Sequence, residues 1–137
     1  MYATADLLFS PVFYKFPNLK VALSEGGIGW IPYLLERIDL TWEKHRWYQN
    51  VNKEVRPSDL FRQNIYGCFI DDLEGVSRRH KIGIDNITWE CDYPHSDSNW
   101  PNSRRFTEKL LADVPDDEAH KIVELNARAL YHFPRTS

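Results

Sequence analysis

Apolar positions along this chain alternate between a spacing near two residues and one near 3.6, and the alternation predicts β/α units. Residues Ala3 to Tyr14 place Leu7, Leu8, Val12 and Phe13 on a loose apolar face, a helix that Pro11 kinks or ends. Pro17-Asn18 is a turn, and Leu19 to Ser24 follows as a strand closing on Glu25-Gly26-Gly27. Trp30, Leu34, Ile38 and Trp42 recur at i+4 and mark a long amphipathic helix through Tyr48, with Gly29 and Pro32 at its start.

Gln49 to Pro57 is a polar connection, and Ser58 is placed to cap one short helical turn. Ile65 to Ile70 is a second strand, closing on Asp71-Asp72 and leading into a helix, Leu73 to Lys81, weakened by Gly75. Gly83 and Asp85-Asn86 turn the chain into a third strand at Ile87. Ser96 to Asn102 is a loop, Ser103 to Leu111 a helix, and Pro115-Asp116 opens a last helix. Ile122, Leu125, Ala129 and Leu130 are its expected buried stripe, and Asp116, Asp117 and Glu118 suit its amino-terminal dipole.

In the third strand, Ile87, Trp89 and Cys91 share one face, and Thr88, Glu90 and Asp92 share the other. All three strands therefore close on acidic residues before a helix begins, as expected of strand ends gathered on one rim. Three parallel strands are too few to close a barrel, which takes eight strands and about 250 residues.

The length of 137 residues suits one domain, 1–137, with one modest core. A net charge of −3 gives no basic footprint and argues against nucleic acid as a partner. No apolar run approaches the ~20 residues needed to span a bilayer. The opening residues carry Asp6 and Lys15 without a basic leader, so no signal peptide is expected; the expected compartment is cytoplasmic. Cys68 and Cys91 fall within predicted strands, without Cys-x-x-Cys spacing, and are expected as reduced core residues. Trp30, Trp42, Trp47 and Trp89 are expected to pack against helices.

Three ordered segments carry a resemblance. Phe16-Pro17-Asn18-Leu19-Lys20 through Glu25-Gly26-Gly27 resembles the sixth strand and loop of the amidohydrolase-related metal-dependent hydrolases, the branch that includes aminocarboxymuconate-semialdehyde decarboxylase. Ile84 through Asp92-Tyr93-Pro94-His95 is similar to the family's eighth strand, which ends on a metal-binding aspartate. Asn126-Ala127-Arg128-Ala129-Leu130-Tyr131 is similar to its last helix. The resemblance implies an α/β fold, the carboxyl-terminal part (about strands 6–8) of a (β/α)8 TIM barrel. It implies a metal-dependent hydrolase of a small organic acid, ester or lactone, or a decarboxylase (a carbon–carbon lyase) of the same family.

The family's other metal ligands, a His-x-His or Glu-x-His on the first strand and a histidine after the fifth, have no counterpart here. His45, His80, His95, His120 and His132 form no His-x-His pair. These residues alone are thus expected to be inactive and to bind metal weakly. A non-catalytic fragment is the competing reading. Expected partners are a small-molecule substrate and either a second copy of the chain or the missing amino-terminal half of the barrel.

Within that frame Asp92 is the expected metal ligand and proton acceptor, against the plainer role of a turn former. Zinc is the first choice of ion, because mixed His and Asp ligands suit it. Glu25 stands where many relatives carry a histidine assigned to acid/base work. Strand parity instead places it with Leu19, Val21 and Leu23, leaving a general acid/base and a carboxylate at a helix amino terminus both open. His95 and Trp100 are candidate substrate contacts. Asp97 suits an Asx turn, and Asp71 and Asp72 suit helix caps. Glu90, if it points inward, needs hydrogen-bond donors.

Overall fold

A computed structural model describes residues 1–134. The chain folds as α1 (Tyr2–Phe9), α2 (Val12–Lys15), β1 (Val21–Leu23), α3 (Ile31–His45), α4 (Pro57–Asn64), β2 (Ile65–Phe69), α5 (Leu73–Ser77), α6 (Arg79–Ile82), β3 (Ile87–Trp89) and α7 (Ser103–Leu110). A final helical stretch comprises α8 (Asp116–His120), a π-turn (Lys121–Leu125) and α9 (Asn126–Tyr131).

The strands form one parallel sheet in the order β1-β2-β3. Val21 pairs with Ile65 and Leu23 with Gly67, and Gly67 pairs in turn with Ile87. Helices cover one face, where Ile28, Ile31, Phe61, Ile65, Phe69 and Ile87 are at most 1% exposed. Gly67 lies there because a Cβ would meet Ile31 Cδ1 at 2.7 Å. The other face carries Ala22, Tyr66, Cys68, Thr88 and Glu90, the polar set that the alternation foretold for β3. Burial pushes the Cys68 thiol there up to about 12.

Three asparagines lace the amino-terminal ends of the strands together. The Asn64 amide donates to Pro17 and Leu19 carbonyls, that of Asn86 to Arg62 and Ile65, and that of Asn126 to Ile84 and Ile87. Each satisfies two backbone acceptors where the chain enters a strand and has no regular partner to offer them.

Several local expectations are corrected. Ser58 is no cap: Pro57 takes the first helical position of an eight-residue helix, and Ser58 lies inside it. Both the Ser58 N–H and hydroxyl donate to Asp39, at 3.0 and 2.6 Å, fastening α4 to α3. The third helix stops at His45, leaving Trp47 65% exposed under the Arg46 guanidinium. Leu73 to Lys81 breaks at Arg78 into α5 and α6. Leu19 precedes β1 and is exposed, and Cys91 lies beyond β3. In the last helix the wider π-turn rotates the turn after it, so Asn126 is buried beside Ile122 and Ala129 faces outward.

Candidate metal centre

The carboxyl ends of β1 and β3 bring together Glu25, Asp92 and His95. One ligand atom from each lies within 4.8 Å of the other two, the one such group of three among the described residues. Asp92 and His95 sit three residues apart on the turn after β3, with Nδ1 at 2.8 Å from Asp92 Oδ1. Glu25 arrives from the loop after β1. Asp92 is the sheltered member, its side chain 11% exposed against 67% for His95.

Backbone geometry explains why strand parity misjudged Glu25. Its φ is 60° and that of Asp92 is 56°, left-handed values that L-residues adopt at a cost. Among the described residues only one other non-glycine, His132, has positive φ. A left-handed residue at the end of a strand turns its side chain away from the preceding alternation. Two of the three converging groups therefore occupy strained backbone, a pattern that gathers at functional sites.

The loop bearing Glu25 is held from two sides. Glu90 Oε1 accepts the Glu25 N–H at 2.5 Å, the donor its inward position requires. Asp72 Oδ2 accepts the N–H groups of Ile28 and Gly29 at 2.6 and 2.7 Å, while Oδ1 caps α5 by accepting from Gly75 N–H at 2.7 Å. The approach needs glycines: a Cβ at Gly29 would stand 2.9 Å from Asp72 Oδ1, and one at Gly75 would overlap Ile28 Cγ1. Trp30 Nε1 closes the loop by donating to the carbonyls of Gly26 and Gly27. The sequence marks Asp72 only as a cap, since Asp72-Leu73-Glu74-Gly75 is a cap spacing; nothing local marks its reach across to residues 28 and 29.

The remaining acidic and aromatic candidates divide. Asp71 and Asp97 are exposed beside Glu25, on the wall of a cavity of about 340 Å³. Trp100 is 60% exposed and lies tilted on Tyr93, ring centres 5.4 Å apart, outside that wall. Cys91 lies just behind Asp92, its Sγ at 3.1 Å from Ser103 Oγ, and the hydroxyls of Ser103 and Ser98 lower its thiol pKa.

Two carboxylates and an imidazole meeting at one point are a donor set for zinc or manganese. The imidazole holds Asp92 as a hydrogen-bond partner, and a metal would compete for the nitrogen that makes that bond. The donor set fits a divalent ion, with Glu25 and His95 added to Asp92, the one ligand expected from the sequence, where His95 was expected as a substrate contact.

The family model described as amidohydrolase matches residues 1–133. No curated protein matches the chain. Among solved structures, 5-carboxyvanillate decarboxylase from Sphingomonas paucimobilis is similar at 22% identity and TM-score 0.80, over 97% of this chain and 39% of that one. A dihydroxybenzoic acid decarboxylase from a Polaromonas species, with bound manganese and an inhibitor, is 23% identical with TM-score 0.74, over 98% of this chain and 40% of that one. An amidohydrolase from Mycobacterium avium subsp. paratuberculosis is 23% identical with TM-score 0.76, over 93% of this chain and 32% of that one. Likeness at these identities shows a shared fold, and this chain spans two fifths or less of those proteins' length.

Proposed function

The chain belongs to the amidohydrolase family, and from that premise we propose that it forms one side of a metal-dependent hydrolytic site at the rim of a barrel. The observation that carries the reading is the convergence of Glu25, Asp92 and His95 at strand carboxyl ends, two of them in left-handed backbone. Carboxyl ends of barrel strands are where barrel enzymes place their chemistry. In this reading β1, β2 and β3 correspond to strands six to eight. The further strands come from a second copy or from a polypeptide carrying the rest of the barrel. The free edges of β1 and β3 among the described residues support that, as does an apolar groove of about 630 Å³ beside Trp89, Leu111, Val114 and Val123.

Asp92, Glu25 and His95 would hold the ion, zinc by donor type and manganese by analogy with one solved neighbour. A divalent ion supplies Lewis-acid polarisation of the substrate carbonyl and lowers the pKa of water. Asp92, sheltered and fixed by His95, accepts the proton from the attacking water. Glu25, more exposed, would pass that same proton on to the leaving oxygen through the carboxylate oxygen not turned to the ion. Glu90 and Asp72 hold the loop that aims Glu25.

A second reading, decarboxylation of a small aromatic acid, is favoured by the decarboxylases among the solved neighbours. Calorimetric titration with zinc and with manganese tests the shared core of both. One ion per chain, weakened more than about tenfold in Asp92→Asn, is the expected result, since even outer-shell losses cost roughly 10–100-fold. Binding indifferent to Asp92→Asn would refute it.

A further inference from the structure

Asp92 needs a restraint that its own turn does not supply. Its φ of 56° lies in the left-handed region, which an L-residue keeps only where the surrounding structure fixes it. The direction of its Cα–Cβ bond is set by the two peptide planes that meet at its Cα. The plane after it is held from within the turn, where the Asp92 carbonyl accepts the His95 N–H at 2.9 Å. The plane before it carries the Cys91 carbonyl, and that oxygen accepts the Ser98 hydroxyl at 2.7 Å. Ser98 Oγ is itself oriented, because it accepts the Trp100 N–H at 3.1 Å and so turns its one hydrogen elsewhere. The Ser98 N–H donates to the His95 carbonyl at 3.2 Å, which closes a second turn on the first. Cys91 has another tether, Sγ to Ser103 Oγ at 3.1 Å, but it reaches the side chain and leaves the peptide plane free to tilt.

We propose, on the reading that Glu25, Asp92 and His95 hold an ion, that Ser98 is a positioning residue of that centre. Its hydroxyl holds the Cys91–Asp92 peptide plane and so aims the Asp92 carboxylate at the other two ligands. Without the hydroxyl, the plane rotates about the Asp92 N–Cα bond towards the extended region that L-residues favour, and the carboxylate swings out of the group. The imidazole does not replace this restraint, because His95 is 67% exposed, rides on the same turn and moves with Asp92. Ser10 provides a matched comparison within the chain. Its hydroxyl donates to the Leu7 carbonyl at 2.8 Å and accepts the Val12 N–H at 3.3 Å. Those are the same two kinds of bond, made between α1 and α2, which carry none of the three ligands.

Ser98→Ala, Ser98→Thr and Ser10→Ala are compared in the 137-residue chain, first without metal. A residue with φ near 60° brings its amide and α hydrogens close together and gives a strong intraresidue cross-peak in a nuclear Overhauser spectrum. Glu25, at φ 60°, serves as the reference in the same spectrum. The Asp92 cross-peak is expected to weaken against that of Glu25 in Ser98→Ala, to return in Ser98→Thr, which keeps the hydroxyl, and to stay unchanged in Ser10→Ala. Manganese is then titrated into each. Ser98→Ala is expected to lose affinity by about tenfold, as residues behind a ligand do, while Ser98→Thr recovers to within about threefold and Ser10→Ala matches the unaltered chain. An Asp92 cross-peak indifferent to Ser98→Ala, or an equal loss of affinity in Ser10→Ala, would overturn the proposal. Should Ser98→Ala lose its fold, Ser98→Cys, a weak donor, is read in its place by the same two criteria. An unaltered chain that binds no manganese, with the Asp92 cross-peak still weakened in Ser98→Ala, refutes the ion and leaves Ser98 as the residue that sets Asp92.

Discussion

Replacing Glu25 by glycine and, separately, by alanine isolates the backbone cost of placing that carboxylate. At φ 60° an L-residue is disfavoured by roughly 1–2 kcal/mol relative to the right-handed helical region, and glycine is not. Glycine loses about 0.5–1 kcal/mol to the greater freedom of its unfolded chain. The Glu25 backbone N–H bond to Glu90 survives both changes, and the carboxylate sits exposed among other carboxylates. Alanine should therefore be close to neutral. Glycine should be more stable than alanine by about 0.5–1 kcal/mol, the reverse of their order in an ordinary strand or helix. Urea unfolding followed by tryptophan fluorescence reads the difference as a shift in midpoint at constant slope. Both variants should lose affinity for manganese by more than about tenfold. A gain in stability coupled to loss of the site is what a strained functional residue demands. If alanine matched or exceeded glycine, residue 25 would not be strained and the account of its placement would fail.

Asp72→Ala should cost about 3–4 kcal/mol, since three backbone N–H groups lose their acceptor, and Asp72→Asn roughly half that; denaturant melts that moved by under 1 kcal/mol would remove Asp72 as the clamp between the two loops. Asn126→Ala should cost about 2–4 kcal/mol by orphaning the carbonyls of Ile84 and Ile87, read in the same melts, whereas Ala129→Ser on the exposed side of that helix should stay within about 0.5 kcal/mol. Cys68 keeps its proton to higher pH when folded, so unfolding between about pH 9 and 12 releases a proton and its contribution to stability falls as pH rises through that window. Cys68→Ala should flatten the alkaline limb of stability against pH by up to about 1.4 kcal/mol per unit, and an unchanged limb would show that the buried thiol has no such role.

The pattern along the chain disclosed the element order because strands and helices here bury one face each. Ile87, Trp89 and the Leu34-Ile38-Trp42 stripe lie where their spacing predicts. Element ends were less legible. The third helix ends three residues early because Trp47 finds the Arg46 guanidinium in place of a core, and β1 starts late because Asn64 draws the Leu19 carbonyl away from any strand partner. Buried polar residues were the hardest to foresee. Asn126 stands in a segment that resembles the family's last helix, but nothing local shows it as buried or tells its role, because its partners are carbonyls some forty positions earlier. At the site, the sequence marks Asp92 as an ion ligand and His95 as a substrate contact; that the two side chains meet is supplied by the turn they share. Glu25 could not be joined to them by alternation, because a left-handed backbone at the strand end overrides it.

In the proposed function a divalent ion is held where β1 and β3 end. Paramagnetic broadening by substoichiometric manganese in a ¹⁵N correlation spectrum of the 137-residue chain locates such an ion. Amide signals within residues 24–27 and 91–96 should be lost together, first and selectively, and return in Asp92→Asn. Broadening centred on the exposed His120–Glu124 pair instead, or spread evenly over the acidic surface, would contradict it.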